Sequence, residues 1–346
     1  MRQRAGIARI CFVLAAVLCY YFGVRSCFSM EKTGAAVIYL SASYPSRTAA
    51  EDILEDCQAG EDSVDVCFYW DGGLQSVKNE NYGRSSKVLV AGLTGDASLY
   101  NWRGGALAQE DRTGCIIDRE TALELFGSDN CTGSTVTLGE NDYEIRRIVP
   151  WSQRIMLIHP TDKEVMYTRV FVRPRKGETL QNAGSRFLMS YGLSGSLVDD
   201  GWLAALAGAA LLLFPAGLAA AFFKAVGDRR KAAGEHTREY WLWLGISVLA
   251  AGALLFFIYK NFSISSDWLP DKWSNFGFWP EKIAKERENL GLYLMLPKTV
   301  PQTEQVRKAA ESLFCGIFAL VFYIRGLLVQ SRFKKEGKNE KSMVET

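Results

Sequence analysis

Four long apolar stretches in a one-plus-three layout, with 175 residues of mixed, soluble-looking sequence between the first and second, constrain this chain more than any other feature. Residues 202–223 run for 22 positions without a charge, and residues 240–259 for 20. A helix rising ~1.5 Å per residue needs about 20 such positions to cross a hydrocarbon core of about 30 Å, so both read as membrane spans. Residues 313–329 read as another, with Arg325 near one end, where its stem carries the guanidinium to the interface. Residues 10–24 are apolar and follow Arg2, Arg4 and Arg9. No small-x-small cleavage site comes after them, since Arg25, Ser26, Cys27 and Phe28 are next, and a retained anchor is expected.

Basic residues orient the spans. The first nine residues hold three arginines and no acid, residues 224–239 hold five basic residues in 16, and Arg332, Lys334, Lys335, Lys338 and Lys341 follow the last span. The segment 260–308 is less basic, with eight in 49. Both termini are therefore expected in the cytoplasm and the large domain outside the cell membrane. The division is a cytoplasmic N-terminus with helix one (1–25), an extracytoplasmic domain (26–200), helix two (201–224), a cytoplasmic loop (225–239), helix three (240–260), an extracytoplasmic loop (261–308), helix four (309–330) and a cytoplasmic tail (331–346). The net charge of +2 averages basic inner segments with a more acidic head and gives no sign of nucleic-acid binding.

The head reads as α+β. Residues 35–40 suit a strand, and 48–57 a helix with Ala49, Ile53, Leu54 and Cys57 on one side. Val64, Val66 and Phe68 alternate with polar or small neighbours, and 87–91 and 115–117 are further short strands. Asp118 is placed to cap a helix over 119–126 that stops at Gly127. Val136 and Leu138, the turn 139–141, and Tyr143 with Ile145 predict a hairpin; 165–172 reads as a strand and 179–191 as a helix.

Cys57, Cys67, Cys115 and Cys131 lie in the head, where an oxidising exterior permits disulfides. Three pairings are open. The sequence-local one is Cys57–Cys67 with Cys115–Cys131, and four buried thiols is the competing reading. The sequence holds no Gly-x-x-x-x-Gly-Lys-Ser/Thr loop, no Gly-x-Ser-x-Gly and no His-Glu-x-x-His, and its two histidines, His159 and His236, fall on opposite sides of the membrane. The pattern supports no catalytic residue, metal or cofactor. Glu51-Asp52 and Glu55-Asp56 read as a solvated helix face. Trp268, Trp273, Phe276, Phe278 and Trp279 in 261–308 read as an interfacial belt, or as a docking site for the head or a partner. Small residues at 204, 205 and 208–210, and at 245 and 250–252, allow close helix contact.

The stretch 115–149, CIIDRETALELFGSDNCTGSTVTLGENDYEIRRIV, resembles part of the periplasmic core domain of MacB-type ABC transporter permeases. There a strand enters a helix ending in Leu-Phe-Gly, followed by a polar link and a hairpin; Leu125-Phe126-Gly127, Gly133, 136–138 and 143–149 stand in those places. The resemblance to the MacB/FtsX family, which includes the one-plus-three layout, implies a non-enzymatic permease subunit. Its partners would be a separate ABC ATP-binding subunit, a second permease subunit, the lipid bilayer and an extracytoplasmic substrate or protein. Contact with the ATPase would fall to the inner segment, on Arg229, Arg230, Lys231, His236 and Arg238. That segment, AVGDRRKAAGEHTREY, keeps the family's basic, helical character without its Glu-Ile-Gly and Leu-Gly-Ala elements. A membrane-anchored receptor or adaptor that works without an ATPase is the other reading.

Overall fold

The computed structural model describes the backbone of residues 2–30, 34–59, 64–100, 107–108, 111–175, 177–233, 237–261 and 277–344. In chain order the elements begin with α1 (Arg2–Phe28), β1 (Ala36–Leu40), α2 (Arg47–Ala59), β2 (Val66–Asn79) and β3 (Arg84–Gly95). Then come β4 (Gly114–Asp118), α3 (Arg119–Phe126), β5 (Thr135–Leu138), β6 (Asn141–Val149), β7 (Ile155–Ile158) and β8 (Arg169–Val172). The last are α4 (Leu180–Ser190), β9 (Gly195–Val198), α5 (Gly201–Ala233), α6 (Arg238–Asn261), α7 (Phe278–Met295) and α8 (Val300–Val344). They form two units. One comprises Met1–Ser29, Ala204–Glu288 and Lys308–Thr346; the other, the head, comprises Met30–Leu203 with Asn289–Arg307.

Three helices among the described residues are long and apolar enough to cross a membrane: Gly6–Phe28, Gly201–Ala232 and Val300–Val329. The expected span 240–259 lies within α6, and its side chains beyond Gly252 are outside the described residues. In the helical unit α1, α5 and α8 meet around Ala16, Phe214 and Ala319. Small residues set that approach. A Cβ on Gly316 would stand 2.8 Å from the Ala210 carbonyl oxygen, and one on Gly23 would stand 2.8 Å from Leu211 and 2.9 Å from Cys315. Of the expected small residues, Ala210 takes part; Gly208, Gly245 and Gly252 have no neighbour within 4 Å of a built Cβ.

The head holds a nine-stranded sheet in the order β3-β7-β4-β6-β5-β2-β8-β1-β9, with β3 also paired to β2. That extra pairing closes β2, β3, β7, β4, β6 and β5 into a ring, which removes their free edges. Two cores result. In lobe one, Ala50, Leu54 and Cys57 of α2 and Ala183 and Phe187 of α4 cover one face of β9-β1-β8-β2, against Ile38, Val66, Phe68 and Val170. In lobe two, Ala122 and Leu125 of α3 pack on Val77, Val88, Ile117, Val136, Ile145 and Met156 of the ring. Burying one such leucine or isoleucine contributes about 2 kcal/mol.

Local chemistry sets α3. The Asp118 side chain accepts the Thr121 N–H at its start, and Gly127 takes φ 72° at its end, where a side chain would be strained. The strand expected at 64–68 is instead the first part of a strand reaching Asn79, and the strand expected at 87–91 extends over Arg84–Gly95. The Gly72-Gly73 pair interrupts the apolar alternation within β2, so its length was hidden in the sequence. β7 and β9 were not expected. Nor was the start of α8 at Val300, nine residues before the expected helix four.

Candidate functional site

Within the head, the segment Asn289–Arg307 is bonded to the sheet. Tyr39 of β1 is buried, and its hydroxyl donates to Gln302 Oε1 at 2.9 Å and to the Pro297 carbonyl at 3.1 Å. Gln302 Oε1 also accepts the Thr299 N–H at 2.9 Å. This is a capping box: Thr299 stands at the N-cap of α8, and the side chain three residues on reaches back to its amide. Two residues further, Glu304 is 4% exposed. Its Oε1 accepts the Ser152 N–H at 2.9 Å and the Ser152 hydroxyl, and its Oε2 accepts from Arg307 at 2.7 Å. Ser152 lies between β6 and β7.

Aromatic rings surround these bonds. The Arg169 guanidinium, 4% exposed, lies 5.2 Å from the Tyr39 ring centroid and 4.8 Å from that of Tyr69, which stacks on Tyr100 at 5.4 Å. Burial pushes the Tyr69 hydroxyl up to about 12, against the lowering effect of Arg169. Tyr293 of α7 packs edge-on to Trp202 at 5.7 Å, and Lys298 Nζ stands 4.9 Å from the Tyr293 ring. Burial, helped by the charge of Asp199, raises the Asp200 carboxyl to about 6; burial likewise raises the Tyr39 and Tyr293 hydroxyls, with the Asp200 charge adding to both. These groups form no nucleophile–base pair. Their chemistry is that of a tie: buried, directional hydrogen bonds join the first turns of α8 to β1 and to the connection between β6 and β7.

The expected ATPase-contact residues are elsewhere. α5 continues through Ala233, so the expected loop 225–239 is helical over most of its length. Arg229 lies over the Trp243 ring at 5.3 Å and Arg230 over the Tyr240 ring at 5.5 Å, both on α6. Lys231 and Arg238 are exposed. His236 lies outside the described residues, as do Trp268, Trp273 and Phe276; Phe278 and Trp279 open α7. His159 is buried, its ring donating from Nδ1 to the Leu93 carbonyl at 2.6 Å.

All eight cysteines are free thiols in this structure. Cys115 and Cys131 are brought together in the core of lobe two. Cys57 and Cys67 are not: Cys57 packs with Val66 and Phe68, and Cys67 between them points to the other face of β2. Cys57 Sγ is instead 3.2 Å from the Tyr191 hydroxyl, which donates to Asp56 at 3.0 Å.

The functional contacts that sequence reasoning missed are Tyr39, Ser152, Thr299, Gln302 and Glu304. One signal was available, the Thr-x-x-Gln spacing of residues 299 and 302.

The sequence matches no protein-family model and no curated protein. Among solved structures it is similar to the extracellular domain of the noncanonic ABC-type transporter YknZ from Gram-positive bacteria, with 15% identity and a TM-score of 0.35 over 47% of this chain and 97% of that one. It is also similar to the periplasmic region of MacB from Actinobacillus actinomycetemcomitans, with 10% identity and a TM-score of 0.38 over 48% of this chain and 88% of that one. Each likeness covers about half of the chain.

Proposed function

We propose that this chain is the permease subunit of an ABC system of the MacB/FtsX kind, with four spans in a one-plus-three layout, both termini cytoplasmic and the head outside. A separate ATP-binding subunit would drive it, and a second permease subunit would complete the assembly. The observation that carries this reading is α8. It starts inside the head, with Gln302 and Glu304 hydrogen-bonded to the sheet, and continues as an apolar helix long enough to cross a membrane. In this reading α8 is the element that would carry a force from the cytoplasm to the head. The stretch 115–149 supports it further, because it folds as the strand-helix-hairpin of the resemblance, β4-α3-β5-β6. The work delivered would be export, or mechanical signalling to an extracytoplasmic partner.

One observation favours the receptor or adaptor reading. Arg229 and Arg230 are engaged by rings of their own chain, which leaves less of the inner segment free for an ATPase. Purification of the tagged full chain from its native membranes separates the two. An ATP-binding subunit identified by mass spectrometry in the purified complex, with ATPase activity that follows the tagged chain, is the outcome expected of a permease. A chain that purifies without either would be a receptor or adaptor.

A further inference from the structure

The two lobes of the head share the β2–β3 ribbon, and the ribbon is interrupted where they meet. Pairing shifts between Asp71 and Gly73, and Gly73 takes φ 70°. Gly92, on the facing strand, leaves no room for a Cβ beside Pro160 and Trp70. A bulge with glycine on both strands bends more readily than the continuous pairing on either side of it. Trp70, at this point, packs against both cores.

The first turns of α8 reach both lobes. Gln302 takes the hydroxyl of Tyr39, whose neighbours Ile38 and Leu40 belong to the core of lobe one. Glu304 takes the amide of Ser152, in the connection between β6 and β7, whose Ile145, Met156 and Ile158 belong to the core of lobe two. Both anchors are buried, at 3% and 4% exposure, and the capped helical turn that carries them fixes the distance between them.

We propose that the first two turns of α8 are a strut that sets the angle between the two lobes of the head, with the Gly72–Gly73 bulge as its hinge. Displacement of α8 then becomes a change of lobe angle, and Tyr39 and Ser152 are the positioning residues that receive it. This deepens the function proposed above, and only the use of the strut as a transmission rests on that reading; the strut itself acts without an ATPase.

The test is a distance measurement on the purified full chain without an ATPase, with Cys11, Cys19, Cys27 and Cys315 replaced by alanine and the four buried head cysteines kept. Spin labels at Glu55→Cys and Glu140→Cys, both exposed, report across the lobes; labels at Lys87→Cys and Glu140→Cys report inside lobe two. The parent should give one narrow cross-lobe distance. Tyr39→Phe combined with Glu304→Ala should broaden or shift it while the distance inside lobe two stays the same. Glu304→Gln alone, which still accepts from Ser152, should keep the narrow distance of the parent. An unchanged cross-lobe distance in the double variant overturns the strut. So does broadening of both pairs, because the two contacts would then hold each lobe's own fold. Neither result depends on whether an ATPase partner exists.

Discussion

The guanidinium of Arg229 lies 5.3 Å from the centre of the Trp243 ring, so a charge expected to face a partner is held by the next helix of its own chain. Arg230 over Tyr240 repeats the arrangement one residue on. Each such contact contributes about 0.5–1 kcal/mol at an exposed site. Replacing Trp243 and Tyr240 by leucine removes the rings and leaves the charges. It should lower the melting temperature of the detergent-purified chain without weakening recovery of an ATP-binding subunit. Glutamine at Arg229, Arg230 and Lys231, with compensating basic residues added nearby to keep the topology, should weaken that recovery; unaltered recovery would assign these charges to the membrane surface and the helical hairpin.

Asp118 accepts three hydrogen bonds in a fully buried setting, from the Thr121 amide and hydroxyl and, at 2.8 Å, from the Ile155 amide. It joins α3 and β4 to β7. Asp118→Ala strands these donors and should cost about 3 kcal/mol, combining a lost cap with a buried unsatisfied amide. Asp118→Asn keeps one acceptor oxygen and should cost less. Denaturant unfolding followed by tryptophan fluorescence reads both, and equal losses would show that the hydrogen bonds are not what Asp118 contributes.

Asp200 couples the stability of the head to pH. Its carboxyl is raised from 3.8 to about 6 by burial and by Asp199. Because the folded state favours the protonated form, the stabilising contribution is complete below about pH 4 and is lost as pH rises through 6. At neutral pH the ionised group therefore opposes folding, on the order of 3 kcal/mol. Asp200→Asn should raise the melting temperature at pH 7.5 and flatten its rise between pH 7.5 and pH 5. An identical pH profile in the variant would mean that Asp200 stays ionised without penalty.

Gly316 and Gly23 are expected to be intolerant of side chains, since a Cβ at either meets a neighbouring helix at 2.8 Å. At Gly316 the obstacle is backbone, which cannot turn aside. Gly316→Val should reduce the yield of folded protein and its resistance to protease. Gly208→Ala and Gly245→Ala, where nothing lies within 4 Å, should behave as the parent. Equal behaviour of all the variants would place the α5–α8 approach elsewhere.

Of the two disulfide pairings read from sequence, the geometry distinguishes sharply. Cys115 and Cys131 share one core, whereas Cys57 and Cys67 face opposite sides of β2. Mild oxidation of the purified chain, followed by denaturation, thiol blocking and peptide mapping, should recover a Cys115–Cys131 cross-link and no Cys57–Cys67 cross-link. Recovery of the latter would require β2 to be displaced or α2 to be detached.

Signals that act over a few residues were legible in the sequence. The bounds of α3 follow from Asp118 and Gly127, and the apolar helices from the thickness of a bilayer, because a cap, a left-handed glycine and a hydrophobic length each depend only on neighbours along the chain. The hairpin of β5 and β6 was legible for the same reason. Tertiary structure alone decided the rest. β7 is a run of four residues buried on both faces, so no alternation marks it, and it exists as a strand because β3 and β4 lie on either side. The closure of six strands into a ring depends on β2 pairing with β3 and with β5, partners that its spacing does not name. Glu304 meets Ser152 across 152 residues of sequence, and Gln302 meets Tyr39 across 263. Such contacts are chosen by the packing of whole elements, after local preferences have been satisfied, and the way the segment 289–307 is held to the sheet is therefore a property of the folded chain.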